Sequence, residues 1–119
     1  MPFSEQWTEV ARAKYDELRE KAERSLRNRT KSGKKKKTKS TKSEGLFKQV
    51  HKTLRLLLDN PKHPGLNTHE YSRIENPYDP KQKVWEAYAQ NRTPSADRIF
   101  WCYGPDKGEI TIIDITPHP

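Results

Sequence analysis

Apolar side chains recur every three or four residues in two stretches of the chain, a spacing that is typical of amphipathic helices. In the first stretch these positions are Phe3, Trp7, Val10, Ala11, Tyr15, Leu18, Ala22 and Leu26. In the second they are Leu46, Phe47, Val50, Leu54, Leu57 and Leu58. Ser4 and Ser43 are the predicted N-caps. The second helix is predicted to end at Asn60, because the ring of Pro61 cannot continue it. The pattern therefore predicts two helices joined by a loop, a helical hairpin with a shared apolar side.

Beyond residue 67 the pattern changes to short segments in which apolar and polar positions alternate, as they do in strands. Strands are predicted at 68–74, 84–90, 98–103 and 110–115. In the second of these, alternation puts Glu86 and Tyr88 on the face opposite Trp85. Helices followed by strands with hairpin connections predict an α+β fold, a two-helix hairpin packed on a small antiparallel sheet of three to four strands. Trp85 and Trp101 are expected to belong to its core.

Composition taken as a whole indicates a basic and partly disordered chain. Its 119 residues include 24 Lys and Arg against 16 Asp and Glu, a net charge of +8. Leu, Ile, Val and Phe together fall below the roughly 20% at which a charged chain is usually disordered. Seven lysines lie within 31–42, however, and without them the net charge is +1. We therefore expect one domain over 1–119, with 31–43 as a flexible lysine-rich loop between the helices.

The lysine-rich loop is open to two interpretations: a solvated linker, or an electrostatic tether to nucleic-acid phosphate. On the second interpretation its RNA-binding candidates are Lys34, Lys35, Lys36, Lys37 and Lys39. On either interpretation, most of the net positive charge lies in this loop and little of it in the rest of the chain.

Compartment and cofactor expectations follow from what the sequence lacks. Cys102 is the only cysteine, so a disulfide framework and a cysteine-based zinc site are excluded. The four histidines do not have the spacing of metal ligands, and neither a metal nor another cofactor is expected. No apolar run approaches the length of a membrane span, and the N-terminal residues do not resemble a signal peptide. A cytoplasmic protein without a membrane partner is therefore expected.

Four pieces of sequence follow one another in a particular order along the chain. They are Leu58–Leu66, Val84–Ala87, Asp97–Trp101 and the isoleucine-rich strand that ends in Pro117–Pro119. Together they resemble the RelE/ParE superfamily of toxins, which belong to prokaryotic type II toxin–antitoxin pairs. The resemblance implies a compact antiparallel sheet packed on two helices and a cognate antitoxin as protein partner.

The two branches of this superfamily imply different activities. The RelE branch cleaves mRNA in the ribosomal A site and so inhibits translation, and it is the branch that we favour here. The ParE branch poisons DNA gyrase, which is the first alternative. A second alternative is a non-catalytic RNA- or protein-binding module with the same fold. The chain departs from the family pattern at Met1–Gln6, which is too short and polar to predict the usual opening strand, and at the lysine-rich insertion.

Metal-independent RNA cleavage through the 2′-hydroxyl requires a base, an acid and a cation near the phosphate. The resemblance implies that Arg98 supplies the cation and that His118 acts as general acid or base. Glu86 or His69 is the expected partner base, and Tyr88 is expected to orient the phosphate or stack on a nucleobase. The alternatives without a catalytic role are a structural cross-strand ion pair between Arg98 and Glu86, and ordinary surface positions for the two histidines.

Two further arginines, Arg73 and Arg92, are RNA-binding candidates. Arg73 lies in the predicted strand 68–74, and Arg92 lies in the connector before Arg98.

Overall fold

The computed structural model describes residues 2–31, 42–89 and 97–117. Within these ranges the strands are β1 Ser4–Trp7, β2 His69–Glu70, β3 Trp85–Tyr88, β4 Asp97–Tyr103 and β5 Glu109–Pro117. The helices are α1 Glu9–Lys31, α2 Lys42–Asp59 and a short 3-10 helix, Pro64–Leu66. The chain is therefore α+β, as predicted, with two helices and a sheet. No helix in the described ranges is both long and apolar enough to cross a membrane.

The sheet has the strand order β1-β5-β4-β3-β2 and comprises five strands in the described chain, where three to four were predicted. It is also mixed, because β1 pairs in parallel with β5, from Ser4 opposite Glu109 to Trp7 opposite Ile112. The other neighbouring pairs are antiparallel, as predicted. A polar sequence suffices for β1 because an edge strand needs only its backbone to pair. The opening strand that the sequence did not predict is thus present.

Helix α1 begins later than predicted, at Glu9 rather than just after Ser4. Its cap is Thr8, whose Oγ1 accepts a hydrogen bond from the Ala11 backbone N–H at 3.1 Å. The same hydroxyl donates to the Ile113 carbonyl at 2.7 Å. One side chain therefore ends β1, starts α1 and fastens both to β5.

Helix α2 begins at Lys42, so the predicted cap Ser43 lies inside it. Its end agrees with the prediction: Asp59 is the last helical residue, and the Asn60 N–H still bonds the Leu56 carbonyl at 2.8 Å. The four predicted strands are present, with β2 much shorter than the segment 68–74.

The hydrophobic core lies between the two helices and one face of the sheet. Its buried members are Ala11, Val50, Leu54, Leu57, Leu66, Ala87, Ala89, Ile99, Trp101, Ile110, Ile112 and Ile115. Trp101 is buried as predicted, while Trp85 is half-buried and packs against this cluster. Alternation along β3 and β4 sends Glu86, Tyr88 and Arg98 to the opposite face, which we call the second face.

The second face is partly covered by the connection between β2 and β3, residues 71–83, here called the cover segment. The Tyr71 ring lies 4.7 Å from the Phe100 ring, centroid to centroid. The Tyr78 hydroxyl shares a 2.8 Å hydrogen bond with the Thr111 hydroxyl. Phe100 and Thr111 are consequently buried although they point away from the helices.

Asn76 holds the cover segment in shape. Its Oδ1 accepts hydrogen bonds from the backbone N–H groups of Tyr78 and Asp79, at 2.9 and 3.2 Å. Its Nδ2 donates to the Lys83 carbonyl at 3.2 Å. One buried side chain therefore satisfies three backbone groups that a loop would otherwise leave to water.

Candidate active site on the second face of the sheet

Four of the residues predicted to be catalytic come together on the second face. His69 on β2 lies directly opposite Glu86 on β3, and Tyr88 on β3 lies directly opposite Arg98 on β4. Side chains of directly opposed residues start roughly 4.5–5.5 Å apart, and Glu86 and Tyr88 share one face because they are two residues apart. These four residues form one patch across three strands, which we call the strand cluster.

The Tyr88 ring is the centre of the strand cluster. The Arg98 guanidinium carbon lies 3.9 Å from its centroid, a close cation–π contact. On the other side the His69 ring meets it edge-on, with centroids 5.6 Å apart and planes at 73°. An aromatic ring between a cation and an imidazole fixes the position of both. One aromatic ring therefore separates the Arg98 guanidinium from the His69 imidazole, a group that can transfer a proton.

Burial differs sharply within the strand cluster. Glu86 is 3% exposed and Arg98 is 7% exposed, whereas Tyr88 is half-buried and His69 is exposed. The guanidinium therefore acts in a medium of lower dielectric than water, where its field is stronger. His69 and the edge of Tyr88 are the groups that a large ligand reaches first.

The predicted ion pair between Glu86 and Arg98 can be compared with the strand register. Phe100, not Arg98, lies directly opposite Glu86. The two charged residues are diagonal neighbours on the same face, a separation that long side chains still bridge. The register thus keeps both charges within one site without making them a directly opposed pair.

An acidic residue, Asp97, precedes Arg98 at the start of β4, and alternation puts it on the helix-packed face, opposite the strand cluster. Burial raises the pKa of the Asp97 carboxyl, while the charges of Arg98 and Lys14 act in the lowering direction. Lys14 of α1 also forms an ion pair with Asp114 of β5, with Nζ and Oδ1 2.7 Å apart. Asp97 carries no signal in the sequence pattern, because its significance depends on α1 lying beside the start of β4.

Arg73 lies apart from the strand cluster, in the cover segment. It is exposed and lines a cavity of about 480 Å³ formed by the cover segment and its flanking residues, among them Glu70, which follows His69. The remaining predicted site residues lie outside the described ranges: His118, Arg92, Lys34, Lys35, Lys36, Lys37 and Lys39. In the described ranges no three His, Cys, Asp or Glu side chains are grouped so that they could hold a metal ion.

The cover segment is the feature of this site that sequence reasoning missed. The polar run from Ser72 to Lys83 has the composition of a loop, yet Tyr71 and Tyr78 anchor it on the second face. Two tyrosines bracketing an Asn-Pro sequence are the signal that could have indicated it, since asparagine side chains cap tight turns.

Comparison with known proteins supports the fold. No protein-family model matches this chain, and no curated protein matches it. Among solved structures, a YoeB/ParE toxin from Agrobacterium tumefaciens matches over 98% of this chain and 99% of its own, with a TM-score of 0.58 and 9% sequence identity. The resemblance to RelE/ParE superfamily toxins is therefore confirmed for the fold.

Proposed function

We propose that this chain, which has the fold of the RelE/ParE superfamily toxins, is itself the toxin of a type II toxin–antitoxin pair. We further propose that it is a metal-independent endoribonuclease that cleaves mRNA in the ribosomal A site and so inhibits translation in the cytoplasm. The fold supports the first step, because it is shared with a YoeB/ParE toxin over nearly the whole of both chains.

The observation that carries the nuclease proposal is the strand cluster. It combines an exposed imidazole, a phenol, a buried carboxylate and a buried guanidinium on one partly open face. These are the groups that phosphodiester cleavage through the 2′-hydroxyl requires: a base, a cation for the crowded phosphate, and an acid.

The proposed reaction assigns a role to each group. His69, with Glu86 opposite it in the register, removes the proton of the 2′-hydroxyl, whose oxygen then attacks the adjacent phosphorus. Arg98 balances the negative charge that accumulates on the phosphate oxygens. The bond from phosphorus to the 5′-oxygen breaks, and His118, as the sequence predicts, gives that oxygen a proton. The products are a 2′,3′-cyclic phosphate and a 5′-hydroxyl.

The lysine-rich loop and Arg73 fit the same proposal as parts that contact RNA backbone. Neutralising phosphates by lysine releases counterions, so such contacts add affinity without sequence preference. The stretch 31–42, which includes the last residue of α1 and the first of α2, carries seven lysines, against a nearly neutral remainder of the chain. A cognate antitoxin is the proposed protein partner.

Gyrase poisoning is the second candidate function, and one observation favours it. Arg98 and Glu86 are almost fully buried, as charged residues with a purely structural role in the sheet would be. A gyrase poison of this fold needs a protein-binding surface and no proton-transfer groups. The two functions therefore differ in whether the strand cluster matters.

The deciding experiment is induced expression in growing cells with mapping of mRNA 5′ ends. The wild type is expected to arrest growth and to create new 5′ ends within translated codons. His69→Ala and His118→Ala are expected to reduce these cuts roughly 10²–10⁴-fold, the usual contribution of general acid–base catalysis. His51→Ala is the matched control, since His51 is an exposed histidine on α2 whose contacts, with Tyr15 and Phe47, are away from the strand cluster.

Two results would contradict the nuclease proposal. Growth arrest with intact mRNA and inhibited DNA supercoiling would select the gyrase function. Unchanged cutting by both His69→Ala and His118→Ala would show that the strand cluster is not the catalytic site. Arg98→Gln, which removes the charge, tests the cation, and Arg98→Lys, which keeps it, is the control; circular dichroism verifies that both variants fold.

A further inference from the structure

A second group of aromatic side chains lies at the other end of β3 and β4, on the helix-packed face. Tyr103, at the end of β4, is 44% exposed, and Trp85, at the start of β3, is half-buried. Between them and the end of the cover segment lies a cavity of about 220 Å³. Its lining residues are Asn76, Lys81, Gln82, Lys83, Trp85 and Tyr103. The strand cluster does not use this cavity. We call Lys81, Gln82, Lys83, Trp85 and Tyr103 the end patch.

The two rings of the end patch are held from beneath by a buried tryptophan. Trp101 stacks on Trp85, with centroids 6.2 Å apart and planes at 27°. Trp101 also meets Tyr103 edge-on, with centroids 5.0 Å apart and planes at 80°. Trp101 is buried in the core, and close packing there restricts its movement. The exposed parts of both rings are therefore already in position before any ligand binds.

Lysines surround these rings. The Lys83 Nζ lies 5.7 Å from the centroid of the Trp85 ring. The Lys83 Nζ also lies 3.5 Å from the Glu70 Oε1. Both side chains are at least half exposed, so this ion pair is weak. Lys81 is exposed on the same rim. The end patch thus combines aromatic faces, cations and the Gln82 amide around a small recess.

We propose that the end patch binds a nucleobase of single-stranded RNA, with the base stacked against Trp85 and Tyr103 and the flanking phosphates on Lys81 and Lys83. Stacking platforms beside cations are the usual means of binding single strands. The recess is smaller than the roughly 300–1,000 Å³ of drug-sized ligand pockets, which suits one ring system rather than a larger molecule.

This inference rests on the proposed function in one respect: it names how the RNA substrate is held. Trp85 precedes Tyr88 by three residues on β3, about 10 Å along the strand. Three residues is an odd offset, so the end patch and the strand cluster lie on opposite faces of the sheet, and one RNA strand reaches both only by passing around the edge formed by β2, which is two residues long. Binding itself needs no catalysis and is measured separately.

The test measures the affinity of the full chain for two labelled strands, a short oligoadenylate and an abasic ribose-phosphate strand of equal length. Both carry the same charge, so the lysine-rich loop affects them equally. The wild type is expected to prefer the oligoadenylate by roughly 5- to 150-fold, the effect of stacking one base. Tyr103→Ala is expected to remove most of this preference while leaving the abasic affinity unchanged.

Matched variants separate stacking from charge. Lys81→Gln with Lys83→Gln is expected to weaken both strands and to reduce the slope of log affinity against log salt by roughly 1.4, for two lost phosphate contacts. Val10→Ala shortens an apolar side chain on α1 that is 55% exposed and should change neither affinity.

The outcomes distinguish this inference from the proposed function. Two results would overturn the proposed binding of a nucleobase by the end patch: equal affinity of the wild type for both strands, or an unchanged preference in Tyr103→Ala. Binding of a protein would then be the better explanation of its exposed rings. A preference for oligoadenylate without any mRNA cleavage overturns the nuclease proposal alone. His69→Ala should lose cleavage and keep the preference.

Discussion

Asn76 is the side chain on which the position of the cover segment depends, and its loss should open the second face. It is 4% exposed and makes three hydrogen bonds to the backbone of the cover segment. At about 0.5–1.5 kcal/mol each, their loss in Asn76→Ala should cost roughly 2–4 kcal/mol. Because all three partners are in the cover segment, most of this cost should appear as local opening rather than as global unfolding.

Cys102 provides the assay for that opening. Its side chain is 0% exposed, and it lies on the second face, opposite Thr111, to which the cover segment is tied through Tyr78. Burial raises the pKa of the Cys102 thiol to about 11, so the closed protein reacts slowly with a thiol reagent. An exposed cysteine has an ordinary pKa of about 8.5. Labelling at pH 8 therefore reports the open population.

The expected result is labelling of Cys102 roughly 30- to 1,000-fold faster in Asn76→Ala than in the wild type, the factor that corresponds to 2–4 kcal/mol. Asn60→Ala is the control, because Asn60 is exposed and its side-chain Oδ1 accepts a 3.1 Å hydrogen bond from the Lys62 backbone N–H. An unchanged labelling rate in Asn76→Ala, with urea unfolding also unchanged, would refute the view that Asn76 holds the cover closed.

Three further predictions concern the capping residue, the strand cluster and pH. Thr8→Ala should destabilise the protein by about 1–2 kcal/mol in urea unfolding through the lost cap, with Thr8→Ser keeping most of the stability; equal stability of Thr8→Ala and wild type would contradict this. Tyr88→Leu should reduce RNA cleavage roughly 2- to 30-fold by releasing Arg98 from the ring. Tyr88→Phe keeps the ring and should therefore retain the cation–π contribution. An equal loss of cleavage in both variants would assign the effect to the hydroxyl. The raised pKa of Asp97 in the folded state means that its contribution is most favourable below the ordinary pKa near 4 and is lost as pH rises through the raised value. Asp97→Asn should therefore gain stability relative to wild type between pH 3 and pH 7, and a pH-independent difference in unfolding free energy would count against it.

The sequence predicted those parts of the fold that local chemistry determines. Pro61 ends α2 wherever the helix packs, and the apolar run at 110–115 forms a strand because its side chains must be buried. The first strand could not be predicted, because its pairing partner β5 lies more than 100 residues away and polar side chains suit an edge. Phe3 and Trp7 happen to continue the helical spacing of α1, although Trp7 is the last residue of β1 and Phe3 comes directly before that strand.

For the candidate site, alternation alone predicted that Glu86 and Tyr88 share a face, and the structure has them so. The cross-strand neighbours of these two residues could not be predicted from the sequence, because the pairing of His69 with Glu86 and of Tyr88 with Arg98 depends on strand register. Burial of Arg98 was also unpredictable, because it depends on how other parts of the chain lie over the second face. Local pattern gives the face of a side chain, and tertiary contacts decide what covers it.

The parallel pairing of β1 with β5 has a consequence for how the chain is made. The hydrogen bond from Thr8 to the Ile113 carbonyl spans 105 residues, so it cannot form before β5 has been synthesised. β1 is synthesised before β5 and cannot pair with it until β5 has left the ribosome. Over the same interval β4, which carries Arg98, lacks β5 beside it. For a nuclease that acts on ribosomes, as proposed, this order of folding separates the making of the chain from the onset of its activity.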